Sequence, residues 1–334
     1  MKKTYSREYL IKTGSGLQDV DGLKNSEYFL VESKRYIDGE ISLNELNKKI
    51  QDYYDNKPDA DADQKEADIV SGRIGELLSD NSFTFSIGQL LAIHKYLFNG
   101  VLLHAGKFRT YNISKKEWVL GGDTVTYGDY RELKYALEYD LEQERNFSYK
   151  DLRPQEVVSH LSFFVANLWQ NHIFGEGNTR TVAVFVIKYL RKLGFDVTND
   201  TFEKNAWYFR NALARANYSD YSRNIFEDRS GLNQFFENLL YGKCHILNSK
   251  FLHITEIFMF DRNPREIQLL TLMRNNPQIK LEEVATKMDI SLRTVKNIVK
   301  VLEFKKDIKR VGGKKLGYWK VKNKIASRQE TQNL

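Results

Sequence analysis

The chain has 334 residues, 41% of them hydrophobic and 28% charged, with a formal net charge of +7, 4 prolines and 1 cysteine. That length has room for two or three domains with their own cores. No apolar run approaches the roughly 20 residues that span a bilayer, which excludes a helical membrane protein. One cysteine cannot form an internal disulfide, and no Cys/His spacing fits a zinc site.

The basic start, Met1 to Glu8, lacks an apolar stretch behind it, so no signal peptide is expected. A cytoplasmic location fits best, with Cys244 a small, half-buried residue. Charge is uneven: Asp261 to Leu334 holds 18 Lys and Arg against 8 Asp and Glu, and the rest of the chain is slightly acidic. An anionic partner is therefore sought in the last quarter.

Residues 1–57 read as an arm of short polar helices, broken at Gly39 and restarted at Ser42 with Glu45 three residues on. Asp55 to Asp63 reads as an acidic linker broken by Pro58. Residues 58–80 comprise this linker and a helix from about Gln64 to Leu78. Apolar residues then recur at helical spacing from Ile87 to Phe98. Between Lys116 and Tyr127 the period changes, and Trp118, Leu120, Val125 and Tyr127 around Gly121-Gly122 predict a β-hairpin. From Tyr130 to about Leu247 the pattern is helical again, interrupted near Tyr218–Ser222.

Within that region Pro154–Asn171 and Thr181–Leu193 are apolar helical stretches flanking His172-Ile173-Phe174-Gly175-Glu176-Gly177-Asn178-Thr179-Arg180. A polar loop that ends at a helix N-terminus is a ready anion site. The loop resembles the signature of the Fic (filamentation induced by cAMP) family, His-x-Phe-x-(Asp/Glu)-Gly-Asn-(Gly)-Arg. The resemblance extends over roughly Ala67–Ser249. It implies an all-α Fic core at 81–255 that transfers AMP from ATP to a Ser, Thr or Tyr hydroxyl of a protein, and of the chain itself.

That chemistry needs an attacking hydroxyl, an in-line path to the α-phosphorus, and neutralisation of the leaving pyrophosphate. His172 suits the base, since imidazole titrates near neutrality. Glu176 offers Mg²⁺ a hard oxygen. Gly175 and Gly177 let backbone N–H groups approach phosphates, and Asn178, Thr179 and Arg180 complete the phosphate cradle. Phe174 reads as the apolar pin of the loop. The resemblance also makes Lys116–Tyr127 a flap that docks the target through Trp118, Val119, Leu120 and Val125, preceded by His104-Ala105-Gly106-Lys107-Phe108-Arg109. It sets Arg210 and Asn217 at the adenine pocket.

Three departures from the family pattern matter. Ile173 stands where Pro is usual, Thr179 replaces the commoner Gly, and Ala183 occupies the place of a second arginine that grips the γ-phosphate. Autoinhibited members carry (Ser/Thr)-x-x-x-Glu-(Gly/Asn) on a helix. Here Ser71 is followed by Gly75, with Glu76 one place later and turned by about 100°. Autoinhibition is therefore expected to be weak or differently built, with Glu76 directed either to Arg180 or to solvent.

The segment 262–323 reads as helix, helix-turn-helix and glycine-cornered basic hairpin, the order of a winged helix, with a flexible tail at 324–334. Arg293, Lys296, Lys300 and Lys314 are its candidate DNA contacts; protein docking is the alternative use of such a module. Gly100 to Lys107 fails as a phosphate loop, because its spacing is one residue too long and Phe108 stands where Ser or Thr is needed. The expected function is protein adenylylation with Mg²⁺, ATP and a protein substrate, with DNA and a homodimer as further partners and no membrane. Alternatives are a Fic enzyme with another donor or one that removes AMP, and a nucleotide-sensing DNA-binding regulator.

Overall fold

The computed structural model describes residues 5–223, 225–254, 264–304, 307–313 and 317–321; Lys314 and the tail 324–334 lie outside the described residues. The chain divides into two compact units, Met1–Ile254 and Thr255–Leu334. No helix among the described residues is long and apolar enough to cross a membrane.

The first unit is helical. Its helices are α1 (Arg7–Gly16), α2 (Glu27–Ile37), α3 (Leu43–Asp55), α4 (Ala62–Ser79), α5 (Ile87–Phe98), α6 (Leu133–Asn146), α7 (Pro154–Gln170), α8 (Asn178–Lys192), α9 (Thr201–Ala216) and α10 (Ser230–Tyr241). Their starts follow local chemistry. Ser6, Ser26, Asp61 and Ser86 each accept a backbone N–H of the first turn, satisfying donors that have no helical partner. Ser42 and Glu45 form the reciprocal capping box expected at α3. Pro154 opens α7, where its missing N–H costs nothing.

Helix α8 is the axis of this unit. Every residue from Asn178 to Leu190 is buried, including the β-branched run Val184, Val186 and Ile187. Such residues are indifferent helix formers, so burial on all sides rather than propensity holds them helical. Phe185 packs against Phe83 and Phe85, and Leu161, Val165 and Trp169 of α7 join the same core.

The N-terminal arm is part of this body. Asp68 of α4 is fully buried and accepts bonds from the Ser26 backbone and hydroxyl and from the Tyr54 hydroxyl, tying α2 and α3 to α4. Helix α1 lies still closer. A Cβ on Gly14 would overlap the Ser71 carbonyl, and one on Gly16 would overlap the Glu203 backbone. Only glycine lets the α1 backbone touch both α4 and α9. The chain continues directly into a 3-10 turn, Leu17–Asp21, that ends at Gly22 with φ 70°.

The predicted β-hairpin between Lys116 and Tyr127 does not form. Trp118–Leu120 is a 3-10 turn closed by Gly121 at φ 64°. Glu117 N–H donates to the Asp123 carbonyl at 2.9 Å, and Lys115 N–H donates to Thr124 Oγ1 at 3.1 Å. The alternation of apolar residues that resembled a strand serves the core instead: Val119, Leu120 and Val125 are buried, and Trp118 is half-exposed. Cys244 is exposed, not half-buried.

The second unit contains α11 (Pro264–Asn275), α12 (Leu281–Met288), α13 (Leu292–Phe304), β1 (Ile308–Val311) and β2 (Tyr318–Val321). The two strands pair antiparallel, Ile308 opposite Val321 and Arg310 opposite Trp319. Leu269, Met273, Val284, Val295, Leu302 and Trp319 form a separate core. Asp289, at φ 51°, makes the turn after α12, and Ser291 caps α13 through the Thr294 N–H. Arg293, Lys296 and Lys300 are exposed on α13.

Candidate active site

Between α7 and α8 the chain reverses through His172, which sits at φ 48°, a left-handed conformation uncommon for a residue with a Cβ. The surroundings hold it there. Arg109 is buried and spends its guanidinium on main-chain carbonyls: His172 at 2.7 Å, Tyr111 at 2.5 Å, Asn171 at 3.3 Å, and Gly128. Its own N–H donates to the Ile173 carbonyl at 2.9 Å. One side chain thus pins both ends of the loop 111–128 to the end of α7 and to His172.

The His172 imidazole packs against Tyr127, ring centroids 4.2 Å apart, and edge-on to Trp169. Both ring nitrogens are buried without a hydrogen-bond partner. Burial holds its pKa well below the ordinary histidine range, the nearby charges of Lys115, Arg210 and Arg109 push the same way, and the Trp169 backbone opposes them weakly. The ring is therefore neutral at physiological pH.

Phe174 is buried and stacks on His94 with centroids 3.6 Å apart. Gly177 adopts φ 71°, and a Cβ there would run into the Phe98 ring. Helix α8 begins at the next residue, so the first-turn N–H groups of Asn178, Thr179 and Arg180 have no intrahelical acceptor. Their side chains look elsewhere. Asn178 spends its amide on the Phe174 backbone, accepting from N–H at 3.0 Å and donating to C=O at 2.8 Å. Thr179 Oγ1 accepts from Trp169 Nε1 at 2.9 Å. Both brace the loop rather than reach out of it.

Arg180 is 2% exposed and lies over the Phe98 ring; the arm and α4 take its two Nη atoms, and its buried Nε has no partner. It donates to Gln18 Oε1 at 2.9 Å and to Glu66 Oε1 at 2.5 Å, with Asp21 Oδ2 at 3.0 Å. Glu76 is not its partner. Glu76 accepts from Asn47 at 2.6 Å, and Ser71 is buried between Asn25 and the Gly14 carbonyl. The acid that α4 presents to Arg180 lies ten positions before Glu76, because that end of the helix faces the start of α8.

Glu176 is largely exposed and pairs with Lys115 at 2.9 Å. Its backbone carbonyl lies 3.0 Å from His94 Nε2, while Gly106 N–H donates to His94 Nδ1 at 2.8 Å. The proton is thereby assigned to Nε2. No group of three or more His, Cys, Asp or Glu poised for a metal occurs among the described residues. A single exposed carboxylate, Glu176, suits only an ion such as Mg²⁺ that keeps its waters and takes its other oxygens from a ligand. It does not fit a resident metal held by protein alone.

The residues assigned to adenine also take other partners. Arg210 of α9 pairs with Asp21 at 2.7 Å and with Glu117 at 3.1 Å. Asn217 donates to the carbonyls of Ala166 and Leu213, joining α7 to α9. Glu117 is buried and also accepts from the Tyr127 hydroxyl at 3.1 Å. Gln18, Asp21, Glu66, His94 and Lys115 therefore contact the residues of the loop although no motif marks them, while Glu117 and Tyr127 lie in the stretch expected to be the flap. Arg109 stood inside the segment quoted ahead of the flap, and the spaced glycines Gly14 and Gly16 were the one local sign that α1 docks closely.

Residues 84–190 match the Fic/DOC family. The protein adenylyltransferase VbhT of Bartonella schoenbuchensis is 27% identical over 164 residues, 45% of this chain and 33% of VbhT, so the chain spans about a third of that relative's length. A Fic family protein from Desulfovibrio desulfuricans G20 superposes with TM-score 0.46 at 13% identity, covering 96% of this chain and 88% of the other. BepC of Bartonella tribocorum, solved with AMPPNP, gives TM-score 0.41 at 19% identity over 55% and 90% of the two chains. The loop His172–Arg180 falls inside the matched span, and the chain carries a Fic/DOC family domain at residues 84–190.

Proposed function

We propose that this chain is a protein adenylyltransferase that moves AMP from ATP to a hydroxyl of a protein target. The observation that carries the reading is His172: a buried, neutral imidazole without a close hydrogen-bond partner, in the turn that leads into α8 and near the charges of Lys115 and Arg210. The similarity to VbhT, a protein adenylyltransferase, supports it. The target hydroxyl oxygen attacks the α-phosphorus and its proton passes to His172. The bond from that phosphorus to the bridging oxygen breaks, and pyrophosphate leaves. In this reading the N–H groups at the start of α8 meet the charge that builds on phosphate oxygens, and Arg180, bonded to Gln18, Glu66 and Asp21, lies behind them. Glu176 would hold Mg²⁺, which supplies charge neutralisation on the phosphates.

The test is transfer of label from ATP labelled at the α-phosphate, with Mg²⁺, to the chain itself and to proteins of a lysate. Labelling by the wild type that His172→Ala abolishes is the expected result. Equal labelling by both proteins, or none by either, rejects it. Running other labelled nucleotides and pre-adenylylated protein in the same assay separates a different donor or AMP removal.

The second unit is proposed to be a winged helix that binds DNA through α13, on the ground that Arg293, Lys296 and Lys300 are all exposed on one helix. In this reading the enzyme and the DNA-binding module are parts of one polypeptide.

A further inference from the structure

Arg180 and Arg210 come from different helices, and one carboxylate joins them. Asp21 places Oδ2 at 3.0 Å from Arg180 Nη2 and Oδ1 at 2.7 Å from Arg210 Nη1. The two oxygens of a carboxylate and two oxygens of a phosphate group are separated by nearly the same distance. A pair of guanidinium groups that fits one therefore fits the other. Ala183, one turn into α8, supplies no cation to such a group.

Arg210 is built to face this spot. Glu117, itself buried and fixed by Tyr127, holds Nε and Nη2 at 3.3 and 3.1 Å. That leaves Nη1 for Asp21 and for the Val20 carbonyl at 2.9 Å. His172, with two unengaged ring nitrogens, lies within the field of the same arginine. Asp21, by contrast, is the most exposed of the three acids around these arginines: its side chain is 28% exposed, at the end of a 3-10 turn, followed by Gly22 with φ 70°, where nothing lies near the place a Cβ would take. Without Asp21, Arg180 keeps Glu66 and Gln18, and Arg210 keeps Glu117.

We propose that Arg180 and Arg210 together form a polyphosphate-binding pair, Arg210 acting where Ala183 cannot, and that Asp21 is the internal occupant which a nucleotide's phosphate chain must displace. The proposal rests on the reading of this site as one that uses a nucleoside triphosphate. Its physical basis is charge. Asp21, Glu66 and Glu117 already outnumber the two arginines, so an anion arriving with Asp21 in place meets net negative charge, and it meets balanced charge once Asp21 swings out.

The test measures binding of inorganic tripolyphosphate by calorimetry at fixed ionic strength, with no turnover required. Asp21→Asn should tighten binding about tenfold or more, the range of one charge-assisted contact. Arg210→Gln in the Asp21→Asn background should reverse that gain, and Arg210→Lys should restore part of it. Asp21→Asn within twofold of wild type overturns the proposal, as does a gain that survives Arg210→Gln. If the Arg210 variants fail to fold, the Asp21→Asn and Asp21→Ser titrations decide alone, since that side chain is partly exposed. Tripolyphosphate binding that obeys these variants without AMP transfer leaves the arginine pair standing and rejects adenylylation. Transfer without any effect of Asp21 on binding does the reverse.

Discussion

Replacing Arg109 with methionine tests how the loop is held. The guanidinium donates to four carbonyls, of which those of Asn171 and His172 belong to buried residues, while Tyr111 is exposed enough for its carbonyl to be rehydrated. A buried acceptor left without a donor costs about 1–3 kcal/mol, so two cost about 2–6 kcal/mol. Relief from burying a guanidinium, whose pKa burial already lowers, offsets part of this. A net loss of about 3 kcal/mol is expected, a large share of the 5–15 kcal/mol typical of a domain. Urea unfolding followed by circular dichroism measures it from the shift in midpoint at constant slope. Arg109→Lys should recover little, because a single ammonium cannot span carbonyls that a planar fork reaches. AMP transfer, assayed well below the unfolding midpoint, should fall further than the folded fraction, since the left-handed backbone of His172 loses its clamp. A folded Arg109→Met protein less than about 1 kcal/mol destabilised, with unchanged transfer, would refute the reasoning.

Two further outcomes follow. Burial sets the His94 pKa at about 4, so the folded state refuses a proton that the unfolded chain accepts below about 6.5. Its share of stability is complete above that pH and shrinks as pH falls from about 6.5 to 4, by up to about 3 kcal/mol. His94→Gln should flatten this part of the stability–pH curve, and an unchanged curve counts against it. For the second unit, removing Arg293, Lys296 and Lys300 together should reduce the slope of log affinity for duplex DNA against log salt by about 3. A slope that does not move takes α13 out of the interface.

The loop His172–Arg180 was legible because its chemistry is local. A base, an acid, two glycines, an amide and an arginine stand within nine residues, and apolar periodicity on both sides delimits it. Helix existence was legible for the same reason, since Ser42 with Glu45 or Pro154 acts within one turn of itself. The stretch Trp118–Tyr127 was misread. Alternation records which residues are buried, and a 3-10 turn with extended flanks buries Val119, Leu120 and Val125 as a strand would. Glu76 was misdirected because motif spacing describes a helix face but not which end of the helix meets the site. The partners of α4 are set by how α1 packs against it, and that depends on the glycine at 14, far from α4 in sequence, whose backbone meets the Ser71 carbonyl.

Taken alone, the order of residues determined the reactive groups, the two helices that carry them and the charge split between the body of the chain and its last quarter. Tertiary structure alone decided which of those groups is left unbonded. His172 is left with free nitrogens, whereas Asn178 and Thr179 are committed to the loop, and Arg180 and Arg210 are committed to Asp21, Glu66 and Glu117. The reason is physical: a side chain's chemistry is a property of its own atoms, but its availability depends on neighbours that arrive from elsewhere in the chain. Arg180 meets Gln18 across 162 positions and Glu66 across 114, separations over which no local pattern carries information.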